Sequence, residues 1–153
     1  MNLRFIELAR AGWGTAMLCA PRVVLERIHH VKIDTKSLVV ARILGARHLG
    51  QASLSGINPS PEVLAMGVWV DTVHALSAVA LAVVDRSRAR AGLTDTAVAG
   101  VWAVAGYRDL RNAKATPPAH DRRRDALARR VLAIVPGGAH LRQLASDARH
   151  RHD

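Results

Sequence analysis

Apolar residues run through this chain in long blocks broken by short polar stretches. Nowhere do apolar and polar residues alternate over the length of a strand, so the pattern predicts an all-α fold. Four helical segments are expected, at about residues 3–25, 38–56, 62–85 and 94–107. Pro21 should kink or end the regular part of the first. Asn58-Pro59-Ser60-Pro61 separates the second from the third. Thr94 or Asp95 is expected to cap the fourth, which is short for a membrane span. The third contains residues 64–84, a run of 21 with one formal charge, Asp71, and is long enough to cross a bilayer.

The faces of the third segment sharpen this picture. Gly67, Asp71, His74, Ala75, Ala78 and Ala82 share one stripe, and Trp69, Val73, Leu76, Ala80 and Val83 lie opposite. Small and polar residues on one side with bulky apolar ones on the other suit a membrane bundle, in which small residues face neighbouring helices and large ones face lipid. Small residues also recur four apart at Gly12, Ala16 and Ala20, at Ala41 and Gly45, at Ala46 and Gly50, and at Thr96 and Gly100. Residues 1–107 are therefore expected to form a compact, multi-pass membrane bundle of four short helices. The competing reading is a soluble bundle. It draws on Arg42, Arg47, His48, Asp71 and His74, since a charge at a bilayer centre costs roughly 2.5–3.5 kcal/mol.

Depth suggests how those charges are managed. Arg47 and Asp71 each lie roughly 12–14 Å from the Pro-rich turn at 1.5 Å per helical residue, on consecutive helices. An Arg47–Asp71 ion pair with His48 or His74 beside it is expected, chiefly as a lock on the hairpin. Arg42 could snorkel toward Lys36. Asp71 and His74, at i and i+3, could also be a base and its orienter, or two metal ligands, but the sequence offers no third ligand.

Charge brings in the remainder of the chain. Lys and Arg number 22 against 12 Asp and Glu, a net +10, and residues 108–153 carry 11 of the basic and 5 of the acidic residues. That tail begins with a linker at Thr116-Pro117-Pro118 and continues as an amphipathic helix over about 121–135. Leu127, Val131 and Ile134 make its apolar stripe, flanked by Arg122, Arg123, Arg124, Arg129 and Arg130. Pro136-Gly137-Gly138 ends it, a short helix over about 139–150 aligns Leu141, Leu144, Ala145 and Ala148, and residues 149–153 are expected to be disordered. The arginines should meet an anionic lipid surface, each worth roughly 1 kcal/mol there. Nucleic acid is the weaker reading, because this helix–turn–helix has no third helix to build a core and no aromatic residue for base stacking.

Orientation is contested within the sequence. The loops at 22–36 and 85–92 hold four and three basic residues and the loop between the second and third segments holds none, so the positive-inside rule makes the first two cytoplasmic. Four full spans then put the basic tail outside. A fourth segment that re-enters or lies at the interface would keep every basic stretch inside, and is preferred. Residues 11–20 resemble the apolar region of a signal peptide, but Glu7 and Arg10 interrupt the preceding stretch and no small-x-small site follows, so a retained helix is expected. Cys19 is the one cysteine, which excludes a disulfide within the chain. Neither a phosphate-binding loop nor a nucleophile elbow is present, and His29-His30 reads as part of a basic loop.

The sequence from Ala41 to Gln51, ARILGARHLGQ, followed by Val70-Asp71-Thr72-Val73-His74-Ala75-Leu76-Ser77, resembles a group of small, uncharacterised actinobacterial membrane proteins. Ala20-Pro21-Arg22 fits the same pattern, and the resemblance covers about residues 1–107. It implies about four short hydrophobic helices in a membrane, and no activity or cofactor. The function expected is a non-enzymatic accessory or scaffold subunit that meets other membrane proteins, with oligomers possible. The alternatives are a small ion-coupled transporter using Arg47, Asp71 and His74, and a soluble binding module with a nucleic-acid-binding tail.

Overall fold

The computed structural model describes residues 5–30, 33–56, 58–112, 114 and 122–151. These are all-helical, with no strand among the described residues. Among the described residues seven α-helices follow one another: α1 Ile6–Cys19, α2 Pro21–Val23, α3 Thr35–Ser55, α4 Pro61–Val84, α5 Ala89–Arg111, α6 Arg122–Ile134 and α7 Gly138–His150.

The boundaries follow from local chemistry. Proline lacks an N–H and crowds the preceding turn, so α1 stops at Cys19, Ala20 leaves helical geometry, and Pro21 starts α2. α2 runs on into a π-helical turn, Val24–His29. A reciprocal capping box begins α3: the Asp34 carboxylate accepts from the Ser37 amide at 2.6 Å, and the Ser37 hydroxyl accepts from the Asp34 amide at 3.0 Å. That amide hydrogen bond holds the Asp34 carboxyl below its ordinary pKa. Ser60 caps α4 and Pro61 fills its first position.

The fourth segment is longer than its pattern suggests. Asp85 accepts from the Ser87 amide and caps a 3-10 turn, Arg86–Arg88, which leads directly into α5. Thr94 and Asp95 are therefore interior residues, and the Thr94 hydroxyl donates to the Arg90 carbonyl instead of capping. At 23 residues, α5 nearly matches the 24 of α4 and lies along it, with Gly92 against Ala78 and Ala82 near one end and Leu110 packed with Leu64 and Val68 near the other. The fourth segment is thus a helix of nearly the length of α4, antiparallel to it, rather than a short one.

Two tight helix pairs, α1 with α3 and α4 with α5, form the body. Although α3 and α4 are consecutive, their backbones stay apart and long side chains bridge them. The sequence stripes on α4 sort as expected: Gly67, Asp71 and Ala78 are buried, while Val73, Leu76 and Val83 are exposed. Among the described residues one helix, α4, is long and apolar enough to cross a membrane.

The tail is built into the body. Leu132, Leu141, Ala145 and Ala148 pack with Leu64, Ala65, Val68 and Leu110 in one core, beside the start of α4. Gly137, at φ 74°, makes the turn between α6 and α7. Residues 149–151 are ordered rather than loose, because Arg149 bonds back to α4 and α6. The expected linker at 116–118 lies outside the described residues. On α6 the buried face is Asp125, Ala128 and Leu132, so the stripe read from sequence is the outer one, with Leu127 48% and Ile134 85% exposed.

Candidate functional site, a polar girdle around Asp71

Asp71 is 1% exposed at the middle of α4, and four side chains from two other helices, α1 and α3, converge on or beside it. Arg10 of α1 grips it with two parallel hydrogen bonds, Nη1 to Oδ1 at 3.0 Å and Nη2 to Oδ2 at 2.8 Å. This fork-to-fork arrangement is the strongest form of carboxylate recognition. Arg47 of α3 donates from Nη2 to Asp71 Oδ1 at 3.4 Å and to the Val70 carbonyl at 3.2 Å. Gln51, one turn further along α3, donates from Nε2 to Asp71 Oδ1 at 3.1 Å. Glu7 closes the other side of Arg10, its Oε2 lying 3.1 Å from Arg10 Nε.

Aromatic faces line this network. The Arg10 guanidinium lies 4.8 Å from the Trp102 ring centroid on α5, a cation–π contact. His48, 1% exposed, packs 5.0 Å from the Trp102 ring and 6.0 Å, edge-on, from that of His74. Arg10 thereby ties α1 to both α4 and α5, and Asp71 ties α4 to both α1 and α3.

The four residues read from the sequence, Arg47, His48, Asp71 and His74, do lie together. Their roles differ from the simple pair. Arg10 is the principal partner of Asp71, and Arg47, 24% exposed at its side chain, is secondary. No group of three or more His, Cys, Asp or Glu able to hold a metal occurs among the described residues. A carboxylate saturated by two guanidiniums and an amide is a poor general base, because its lone pairs are already committed. The geometry suits a structural lock between helices.

A second cluster fixes the tail. Arg149 of α7 donates from Nε to Glu62 Oε1 at 2.9 Å, from Nη2 to Glu62 Oε2 at 2.6 Å and from the same nitrogen to Asp125 Oδ2 at 2.9 Å. Glu62 and Asp125 are 7% and 6% exposed, and Ser60 donates its hydroxyl proton to Asp125. Among the five tail arginines read as an anionic-surface patch, Arg129 reaches Glu62 at 3.4 Å and Arg124 donates to the Leu54 carbonyl, while Arg122, Arg123 and Arg130 face outward. Arg149→Ala leaves two buried carboxylates short of a partner. It should cost about 1.5–3 kcal/mol, the range for a hydrogen bond to a charged group. Limited trypsinolysis should then cut α6 and α7 faster than in the parent chain, and an unchanged digestion rate would remove Arg149 as the clamp.

No protein-family model, curated protein or solved structure matches the chain.

Proposed function

We propose that this is a multi-pass integral membrane protein, working as a non-enzymatic accessory or scaffold subunit among other membrane proteins. One observation carries the membrane reading: polarity is inverted between the inside and the outside of the body. Along α1, over 39–54 of α3, along α4 and over 93–104 of α5, Arg42 is the one exposed charged residue among those described. In the same band Glu7, Arg10 and Asp71 are 3%, 2% and 1% exposed. Scattered apolar residues are normal on a soluble surface, but a continuous band with a single exposed charge is not.

Dimensions agree with this reading. On α5, Leu93, Ala97, Val101 and Val104 form an exposed apolar stripe flanked by exposed Arg90 and Arg108. Those arginines are eighteen residues apart, about 27 Å of helix, against a hydrocarbon core of about 30 Å. In α4 only 17% of the most apolar 18-residue window is buried, whereas the core helix of a soluble protein would be enclosed. The resemblance to small actinobacterial membrane proteins points the same way.

The tail adds a lipid-surface element at the end where α4 begins. Leu127 and Ile134 point outward on α6, with Arg122, Arg123 and Arg130 also exposed, the make-up of a helix lying in the interface. Both ends of the body are basic: seven basic and three acidic residues occupy 22–36 and 85–92, against eleven and five in the tail. The positive-inside rule therefore selects neither orientation. The subunit role is supported by the committed geometry of the girdle, which holds helices together and leaves no reactive group poised.

Fractionation tests both halves. The protein should stay in the membrane pellet through a carbonate wash, and its release would refute the membrane reading. In mild detergent it should elute well above the size of one chain. A monodisperse monomer without any co-isolated partner would remove the subunit role and leave the bundle.

A further inference from the structure

A cavity of about 290 Å³ opens between the two helix pairs, at the end that carries Asp34 and Asp85. Met17, Leu44 and Leu81 are among its apolar walls, and its polar groups include His29, Lys36, Arg88 and Asp95. His29 is the informative one. It is 2% exposed, yet neither ring nitrogen has a hydrogen-bond partner. Leaving a buried polar group unsatisfied costs roughly 1–3 kcal/mol, so a ring enclosed on a cavity wall marks a place where a partner belongs. Desolvation lowers the pKa of His29, keeping the ring neutral, with one N–H donor and one acceptor nitrogen.

The other polar groups limit what that partner can be. Arg88 is held by Asp85 at 2.7 Å and Asp34 at 3.1 Å. Lys36 has no ion pair among the described residues and is exposed, so the cavity has one uncommitted cation. Asp95 lies about 9 Å further along the bundle than the start of α5, so it repels an anionic group at depth and favours one at the Lys36 end. The volume is close to the lower limit of about 300 Å³ for ligand pockets, enough for one chain and not for two.

We propose that this cavity binds a single-chain anionic amphiphile, a fatty-acid carboxylate, with the head at Lys36 and His29 and the chain along Met17, Leu44 and Leu81. A carboxylate only accepts hydrogen bonds, and Lys36 and the His29 N–H are donors to it. The assignment rests on the membrane reading, which puts Lys36 at headgroup level and the apolar walls inside the band.

The test uses the full chain in phosphatidylcholine nanodiscs, titrated with bromine-labelled dodecanoate. Trp13, whose ring lies 6.2 Å from that of His29, reports binding through quenching of its emission. Saturable quenching is expected. Lys36→Gln, at an exposed position, should weaken it at least fivefold, and Leu44→Phe, which narrows the cavity without adding a tryptophan, should weaken it at least as much. Labelled dodecanol should bind at least tenfold more weakly. Quenching that is equal in the parent and both variants would show lipid partitioning only and overturn the site. Tighter binding of dodecyl phosphate than of dodecanoate would overturn the carboxylate assignment. If Leu44→Phe does not fold, as judged by circular dichroism, Lys36→Gln and the dodecanol comparison still decide. If carbonate releases the protein, the same titration in aqueous buffer, below micelle formation, keeps failure of the site apart from failure of the membrane reading.

Discussion

Asp71→Asn should destabilise the bundle by about 3–5 kcal/mol, the range for breaking a buried ion pair from one side. The magnitude follows from what remains. Arg10, 2% exposed, loses its bidentate acceptor and keeps Glu7 beside it and the face of Trp102. Arg47 loses less, because its side chain is 24% exposed and can turn toward the headgroups. Thermal or detergent-induced unfolding should therefore rank Arg10→Met well above Arg47→Met. The reverse order would make Arg47 the principal partner. The double variant Arg10→Met with Asp71→Leu should recover part of the loss, since it removes the central pair together but takes the Arg10 ion pair from buried Glu7, and a cycle with Arg10→Met and Asp71→Leu as the single variants measures the coupling. The same set of proteins separates a lock from a carrier. In an ion-coupled carrier, Asp71→Asn would abolish flux while leaving stability near that of the parent, and the apolar pair would stay inactive. In a lock, stability falls with the single variant and returns in part with the pair.

Much of this girdle is legible in the sequence, and the missing part has a specific cause. Arg47 and Asp71 are equidistant from the Pro-rich turn, and helical rise alone puts them at one depth; their atoms lie 3.4 Å apart. In the sequence Arg10 and Glu7 read only as interruptions that argue against a signal peptide. They are in fact the start of the inner face of α1, whose buried residues are Glu7, Arg10, Gly14 and Met17. Their helical spacing is visible in the sequence, but charge places them outside the core under a rule that holds for soluble proteins. A similar confusion of faces affects α6, where Leu127, Val131 and Ile134 form the more apolar stripe yet Ala128 and Leu132 make the packed one. An element with two apolar-bearing faces does not announce which meets protein and which meets solvent or lipid. The seating of the tail on α4 is beyond sequence reading, because Glu62 and Arg149 are 87 residues apart and nothing local relates them.

Glycine substitutions should divide by sign according to the helix contact they meet. A Cβ on Gly45 would lie 2.7 Å from the Gly14 carbonyl oxygen and 2.8 Å from the Leu18 amide nitrogen, and one on Gly14 would lie 2.9 Å from the Gly45 carbonyl oxygen. These neighbours are backbone, so neither α1 nor α3 can give without moving as a whole. Gly92 is in the same position on the second pair, where a Cβ would come 2.6 Å from the Ala78 carbonyl oxygen. Gly45→Val and Gly92→Val should each cost at least the roughly 1–3 kcal/mol usual for overpacking. By contrast, a methyl group on Gly12, Gly50 or Gly100 would have nothing within 4 Å, although all three sit in small-residue spacings that the sequence offers as packing stripes. Alanine there should stabilise by up to about 1 kcal/mol through helix propensity. Equal responses at Gly45 and Gly50 would mean that α1 and α3 do not meet at Gly14. The crossing also carries the girdle: Gly14 is one turn from Arg10 on α1, and Gly45 is two residues from Arg47 on α3. Forcing the two helices apart at Gly45 should draw Arg10 away from Asp71, so combining Gly45→Val with Asp71→Asn should cost less than the two separate losses added together. Full additivity in that double variant would show that the backbone contact and the charge network hold the bundle independently.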